Sequence, residues 1–390
     1  MKKIRVLHLI KTLGLGGAEV NLYNLVRATD HERFDIHVGY SYGGEIEQRF
    51  RDSGVRLFKY AEGSHRVKSF TSLLIIARLI RYVRRQGIQI IHTHNFNSHV
   101  WGVLAGRLAG IKVVEHVHDF RYLDPAEFRR RRGENGQYRY AKFLRGLADR
   151  VIVLTRQNRD FLLQNRLTAE KVRHIHNGIP SFDAAVPATE PARRNLLEAL
   201  GVRRPAGAPR PRVIVTTARI AAEKNVDLIL RIAPEVVRQV PEAVFLIAGD
   251  GPLLETLRAE CRRKGLDRSV KLIGFSSDPA PLLSAADVFL LPSFLELHSI
   301  SILEAMSHGV PVVVSRGVGC HDEFIADWEN GVLVDPFGAS GWAEAIVRLL
   351  RDEALRRTVG ENGRRTCRRS FGIEVAARAK ENVYVELAGQ

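Results

Sequence analysis

LLPSFLELHSISILEAMSHGVPVVVS, residues 290–315, holds the pattern on which the fold reading turns. An apolar run ends at Pro292, and a Ser-rich turn carries Glu296. A helical segment then carries Glu304 in its predicted first turn and stops at His308-Gly309. A second apolar run, ValProValValVal, follows at once. Strand, acidic loop, helix, strand in so few residues predicts a parallel sheet with both carboxylates at its carboxyl edge, where open α/β sheets bind ligands. An ionised Glu is a pure acceptor and suits hydroxyl-rich ligands. A plainer reading stands beside this one. Ser301-x-x-Glu304 also has the form of a capping box, and Glu296 has the look of a solvated loop residue.

The same alternation runs outward in both directions. Seven β-branched segments precede the stretch in the first half: 4–10, 34–40, 55–60, 88–94, 112–118, 150–155 and 171–176. The second half repeats the scheme at 212–217, 243–249, 270–275, 287–292, 310–314 and 331–335. Helix-length segments lie between most of them, such as 69–85 with Leu73, Ile76, Ala77 and Ile80 at helical spacing. Strands alternating with helices predict parallel sheets covered on both faces. Residues 183–211 break the pattern, with five prolines and no strand signal. The reading is two doubly wound α/β domains, 1–185 and 212–371, joined by a linker at 186–211 and facing a cleft. A final amphipathic helix spans about 372–390.

Composition bounds the function. The 390 residues, 45% hydrophobic and 26% charged, are those of an ordinary globular chain. No run of about 18 uncharged apolar residues predicts a membrane span, and the start MKKIRVLHLI reads as a first strand and not as a signal peptide. Cys261, Cys320 and Cys367 are few and scattered, which fits a reducing cytoplasm and neither a disulfide framework nor a zinc site. The net charge of +16 is lopsided. Residues 1–182 hold 32 basic and 16 acidic side chains, while 183–390 hold 27 of each. A basic half attracts phosphates, nucleic acid or an anionic membrane surface. Its sharpest cluster is Arg129, Arg130, Arg131 and Arg132. No helix-turn-helix, zinc finger or aromatic RNA-binding pattern supports the nucleic-acid option.

Three groups of residues carry chemistry. Gly14, Gly16 and Gly17 follow the first strand and precede a helix, where the backbone can approach an anion, although a plain tight turn needs them too. Arg219 and Lys224 lie past a strand end, where they can converge on one diphosphate as a fork and a point charge, although an isolated pair of this kind also reads as two exposed surface cations. The histidines concentrate in the first half, and His116 and His118 end a strand beside Asp119. Without a Cys or a third fixed ligand they predict no zinc site, and no Asp-x-Asp offers a divalent-metal clamp.

With these pieces in place, the chain resembles the retaining glycosyltransferases of family 4, the group 1 transferases with two Rossmann-like domains (GT-B). The pieces stand in family order: GLGGAE (14–19), HTH (92–94), EHVHD (115–119), HNGI (176–179), ARIAAEKN (218–225), AGDGPL (248–253), the two-glutamate block and DWENGVLVD (327–335). The resemblance implies that Arg219 and Lys224 bind the donor diphosphate and steady it as it leaves. It implies that Glu304 accepts from ribose hydroxyls, with Ser299 and Ile300 also at the donor, and that Glu296 holds the donor sugar. Gly16 and Gly17 would line the phosphates and acceptor, His118 (or His116 in its place) would touch the donor sugar, and the last helix would pack back on the first domain. Family members act with retention, discussed as front-face attack, and usually without a metal or other cofactor. One departure stands out: Leu297-His298 occupies a place where the family often has Gly, which locates donor choice there.

The expected activity is therefore transfer of a sugar from a UDP- or GDP-linked donor, bound by the second domain, to a glycan or lipid-diphosphate-linked acceptor held by the basic first domain. Polysaccharide or lipopolysaccharide assembly at the inner face of the cytoplasmic membrane is the expected setting. The rival is another nucleotide-sugar enzyme of the same fold, such as an epimerase.

Overall fold

Short strands dominated by Val, Ile and Leu have no polar face to offer solvent, so they must be covered on both sides, and a parallel sheet sheathed in helices does this. The computed structural model, which describes residues 3–62, 70–118, 143–180, 188–202 and 207–389, contains two such sheets. Every pairing between named strands is parallel. The chain divides into a first unit, Met1–Pro180 with Ile373–Gln390, and a second, Ser181–Gly372.

The first unit's sheet has seven strands: β1 (Ile4–Leu9), β2 (Phe34–Tyr40), β3 (Arg56–Lys59), β4 (Ile90–Thr93), β5 (Lys112–His116), β6 (Arg150–Val153) and β7 (Val172–His174). Their spatial order is β3-β2-β1-β4-β5-β6-β7. Successive side chains point to opposite faces. Ile4 and Val6 therefore join Leu22, Phe34 and Tyr384 in one core, while Leu7 and Leu9 join Leu79, Ile91 and Trp101 in the other. The C-terminal helix Ile373–Ala388 belongs to this unit and lies over the first of these faces through Ile373, Ala377 and Tyr384.

The second unit's sheet has six strands: β8 (Arg212–Thr217), β9 (Ala243–Ala248), β10 (Val270–Gly274), β11 (Val288–Leu291), β12 (Val312–Ser315) and β13 (Val332–Val334). Their order is β10-β9-β8-β11-β12-β13. Strand β12 begins two residues later than its apolar run, because Pro311 has no N–H for the ladder. The Pro311 carbonyl still accepts from the Phe289 amide at 3.0 Å.

The segment read as a linker departs from that reading. Its residues Glu190–Ala199 form a helix, capped by Thr189, that is part of the second unit. Arg193 on this helix is buried, donating to Asp287 at 2.9 Å, the Ala285 carbonyl at 3.0 Å and the Pro211 carbonyl at 2.8 Å. Asp287 also accepts from the Val213 amide at 2.8 Å, so one carboxylate ties the helix to the start of β8 and β11. Proline content hid this helix, which buries an ionic side chain, Arg193, beside Leu197. Asp287→Ala leaves Arg193 charged and buried, so the second unit should lose about 3–5 kcal/mol. A denaturant melt followed by tryptophan fluorescence checks this; an unchanged midpoint would show that the pair carries no stability.

Candidate active site

In both sheets the strand order reverses between two neighbours, β1 and β4 in the first unit and β8 and β11 in the second. Connections leave such a pair toward opposite faces and open a crevice at the carboxyl edge. In the second unit the loop after β8 carries Arg219 and Lys224, and the loop after β11 carries Glu296.

These two loops are joined by backbone. The Glu223 carbonyl accepts from the amides of Phe294 at 2.9 Å and Leu295 at 3.3 Å. The consequence is a direct ion pair, Lys224 Nζ to Glu296 Oε1 at 2.5 Å, with the Ser293 hydroxyl donating to the same oxygen at 2.8 Å. From the other side the Glu296 loop rests on Gly319. That residue has a φ of +60°, and a Cβ there would sit 2.6 Å from the Leu297 carbonyl oxygen and 2.7 Å from that of Glu296. Only glycine allows the approach. Arg219 is held by its neighbours' backbone, with the Ile220 amide donating to the Asp250 carbonyl at 2.8 Å. Its guanidinium is exposed and has no hydrogen bond or ion pair among the described residues.

The helix Ile300–Ser307 starts earlier than its composition predicts, with Ser299 as N-cap. Glu304 is therefore its fifth residue and not the third, and the capping-box reading fails on geometry. The Ser301 hydroxyl pairs instead with that of Ser299 at 3.0 Å. The Glu304 carboxyl has no side-chain partner among the described residues, and burial, with Asp278 adding to it, pushes it up to about 7. Ser299 and Ile300 form the amino end of this helix, whose free N–H groups favour an anion. The expectation that Leu297-His298 sets donor choice is corrected for His298. Its ring is buried, stacked on Phe324 at 6.0 Å and edge-on to Phe371 at 5.4 Å. Cys320, beside this loop, is inert as a nucleophile, because burial pushes its thiol well up.

In the first unit, Gly16 caps the helix Gly17–Ala28 and leaves room for Glu19, whose carboxylate oxygen lies 2.2 Å from where a Gly16 Cβ would stand. His118 lies just past β5. Its Nε2 pairs with His94 Nδ1 at 3.1 Å, and His94 Nε2 pairs with His8 Nδ1 at 2.8 Å. Burial pushes His118 down to about 3, with Lys380 adding to it, so the ring is neutral at physiological pH. Nitrogens of His94, His116 and His118 lie within 4.8 Å of one another, as do those of His8, His92 and His94. The third ligand that spacing failed to reveal is thus supplied by neighbouring strands. A cation there would meet Lys380, fully buried, whose amine is pushed down to about 7 by burial and so still carries charge near neutral pH. Arg129, Arg130, Arg131 and Arg132 lie outside the described residues.

Sequence reasoning missed the direct Lys224–Glu296 contact, which depends on strand order. It also missed Lys380 and Tyr384, whose hydroxyl meets His92 Nδ1 at 2.6 Å. A signal existed: Ala376, Lys380 and Tyr384 are four residues apart, which sets a lysine on an apolar stripe. A larger groove of about 830 Å³, lined by Glu235, Gln239, Arg348 and Arg351 among others, holds none of these groups. It involves the C-terminal ends of two helices, and crossover helices run against their strands, so those ends lie at the amino edge.

The comparisons agree with this geometry. The family described as "Glycosyltransferase Family 4" matches residues 15–181, and "Glycosyl transferases group 1" matches residues 203–366. The chain is 24% identical to the UDP-Gal:alpha-D-GlcNAc-diphosphoundecaprenol alpha-1,3-galactosyltransferase of Escherichia coli, over 99% of this chain and 97% of that one. It is 29% identical to the alpha-D-kanosaminyltransferase of Streptomyces kanamyceticus, over 81% and 82%. Among solved structures, Anabaena HepE in complex with UDP and glucose superposes with a TM-score of 0.81 at 21% identity, covering 97% of this chain and 99% of that one. Two parallel α/β sheets of this order are matched by those solved structures in fold, and the chain belongs to the group 1, family 4 glycosyltransferases of the GT-B fold.

Proposed function

We propose that this transferase moves a sugar from a UDP- or GDP-linked donor to a glycan or lipid-diphosphate-linked acceptor, with retention and without a metal. The observation that carries the donor reading is the Lys224–Glu296 ion pair at the strand-order reversal, in the same unit as Arg219 and Glu304, whose side chains have no hydrogen bond or ion pair among the described residues. Arg219 and Lys224 take the diphosphate and stabilise the charge that develops as it leaves, usually a large catalytic contribution. Their two positive charges do the work a divalent ion would do. Glu304 accepts from the ribose, and Glu296 from the donor sugar. Glu296 is already engaged by Lys224 and Ser293, an arrangement suited to holding a sugar and not to attacking it, which supports front-face retention. His118 adds a neutral contact to the donor sugar, and Gly16 and Gly17 bring backbone close to the ligand. The E. coli relative's name joins a UDP-linked donor to a diphosphoundecaprenol acceptor, which supports a lipid-linked acceptor and a place in polysaccharide assembly.

The setting is the cytoplasmic face of an anionic membrane, held peripherally. No helix among the described residues is long and apolar enough to cross a membrane. The helix Phe70–Gln86 supports a surface contact. Leu73 and Leu74 are 62% and 58% exposed at one end, and the exposed Arg78, Arg81, Arg84 and Arg85 follow. Arg129–Arg132 add charge in the same basic half.

Glu296→Ala and Lys224→Ala should each cut donor turnover by roughly a hundredfold or more, the scale of losing one charge-stabilising group. Release of UDP or GDP from a panel of nucleotide-sugars measures this, and unchanged rates in both variants would remove the site. Glu304 gives a pH signature. Its folded value of about 7 lies above the 4.5 of a free glutamate. Its stability contribution is therefore complete below pH 4.5 and is lost as pH rises toward 7, at most about 3 kcal/mol. Glu304→Gln should melt higher than the wild type at pH 8 and level with it near pH 4.5. Because the ionised carboxylate is the acceptor, nucleotide affinity should fall roughly five- to tenfold between pH 8 and pH 6 in the wild type and stay flat in the variant. Titration calorimetry at the two pH values reads this. Flotation with phosphatidylglycerol vesicles should drop when Arg129–Arg132 are replaced by glutamine; equal flotation takes that patch out of the membrane contact.

A further inference from the structure

The last helix, Ile373–Ala388, carries a lysine into the core of the first unit. Lys380 is 1% exposed, and its amine donates one long hydrogen bond, to the His176 carbonyl at 3.5 Å. It has no carboxylate partner among the described residues. Glu381, next in the chain, accepts instead from the Asp30 amide at 2.8 Å. Helix Gly17–Ala28 packs against the last helix and carries Glu19 and Arg27, neither of which pairs with Lys380. A buried charge left so is costly. An apolar side chain of similar length would fill the same space without that cost.

The amine is surrounded by imidazoles. Strand β1 brings His8, β4 brings His92 with His94 just past it, and β5 brings His116 with His118 just past it. These strands are neighbours in the sheet. Ring centroids step 4.9 Å from His8 to His92, 4.4 Å on to His94 and 5.3 Å on to His118. The Lys380 charge acts on all five rings and on His176 after β7. Tyr384, one turn on from Lys380, ties the helix to the rings through His92 Nδ1 at 2.6 Å.

His8, His94 and His118 are joined nitrogen to nitrogen, at 2.8 and 3.1 Å. Such a chain invites a further proton, because a neighbouring ring accepts from it and a charge-assisted hydrogen bond is roughly twice as strong as a neutral one. Burial opposes that proton, and so does the ammonium, since two positive charges would then share one dry space. The core has room for one charge, and the last helix sets where it sits.

We propose that Lys380 is a positioning residue for His118: by keeping the positive charge of this core on the last helix, it leaves His118 an uncharged ring whose hydrogen-bonding direction is fixed by His94. This rests on the transferase reading above, in which His118 meets the donor sugar. It gives a part in that contact to a helix that follows the second unit directly in the chain.

Lys380→Met removes the charge and keeps an unbranched side chain of similar length. Nitrogen-15 NMR of the imidazoles in the full-length protein reads where the charge goes. At pH 5 the fraction of His118 carrying a second proton should rise roughly tenfold or more in Lys380→Met, and stay at the wild-type level in Lys380→Arg. Stability should move the opposite way from function. Burial pushes the Lys380 amine down to about 7 from the 10.5 of a free lysine, so its charge costs stability in full below pH 7 and progressively less toward pH 10.5. Lys380→Met should therefore melt a few degrees above the wild type at pH 6, with a smaller gain at pH 9. Affinity for free UDP or GDP should be equal in the two proteins, which also reports that the variant is folded. Turnover of the nucleotide-sugar that the wild type uses fastest should fall roughly tenfold, the worth of one hydrogen bond. An unchanged proton count at His118, a lower melting temperature at pH 6, or equal turnover would each overturn the proposal. No turnover of any nucleotide-sugar by the wild type would overturn the transferase reading instead, and the NMR and melting results would still decide on Lys380.

Discussion

Strand order is the constraint from which the second unit's chemistry follows. A parallel sheet needs a crossover for each new strand, and the chain winds one way through β8, β9 and β10 before returning to place β11 on the other side of β8. The loops that leave β8 and β11 then emerge side by side with nothing between them. Backbone bonds from the Glu223 carbonyl to Phe294 and Leu295 close that gap, and the side chains next in line are Lys224 and Glu296. Residues 72 positions apart become an ion pair because of topology, not because of any local signal. The first unit repeats the rule, with the Gly-rich turn after β1 and His94 after β4 at its own reversal.

Keeping charges at such an edge is costly, and the protein meets the cost unevenly. Lys224 and Glu296 neutralise each other before any ligand arrives, which fixes the Glu296 carboxylate in one orientation. A diphosphate would compete with Glu296 for the ammonium, so donor binding would trade one charge-assisted bond for others instead of creating charge in a dry site. Glu304 meets the cost in another way, by holding its proton until pH about 7. Arg219 avoids it by staying exposed. Three settings for four ionisable groups give a site that is neither bare nor locked.

Much of this was legible in the residues. All thirteen strands lie within the apolar segments read from the sequence or begin or end within two residues of them, because two-sided burial leaves an unbroken run of β-branched residues. The failures have separate physical causes. The helix Glu190–Ala199 was hidden by prolines, although Pro191 sits at a helix start where its missing N–H does no harm. The capping-box alternative for Glu304 could not be dismissed from the sequence, because a helix boundary two residues off changes every capping position. His298 was placed beside the donor because sequence shows that a side chain is bulky and not which way it turns; Phe324 and Phe371 draw it inward. Lys380 was passed over although its spacing with Ala376 and Tyr384 sets it on an apolar stripe, because that spacing does not say what its amine is buried among.

Those histidines bear on His118. The contacts His8 Nδ1 to His94 Nε2 and His94 Nδ1 to His118 Nε2 form a chain of neutral rings, each with one donor and one acceptor nitrogen. All the donors must therefore point the same way along it. If they pointed toward His8, its Nε2 would carry a buried proton with no partner. Pointing toward His118 leaves a bare nitrogen at that end instead, and an orphaned acceptor is tolerated better than an orphaned N–H. The direction assigned on this ground is His8 to His94 to His118, which makes His118 Nε2 the acceptor and leaves Nδ1–H free to donate. A buried ammonium nearby strengthens the arrangement, since Lys380 opposes a second proton on each of the three rings. A donor fixed at His118 meets the lone pair of a ligand oxygen and cannot meet its hydrogen, so this ring would orient a polar ligand at the first unit's sheet edge as well as bind it.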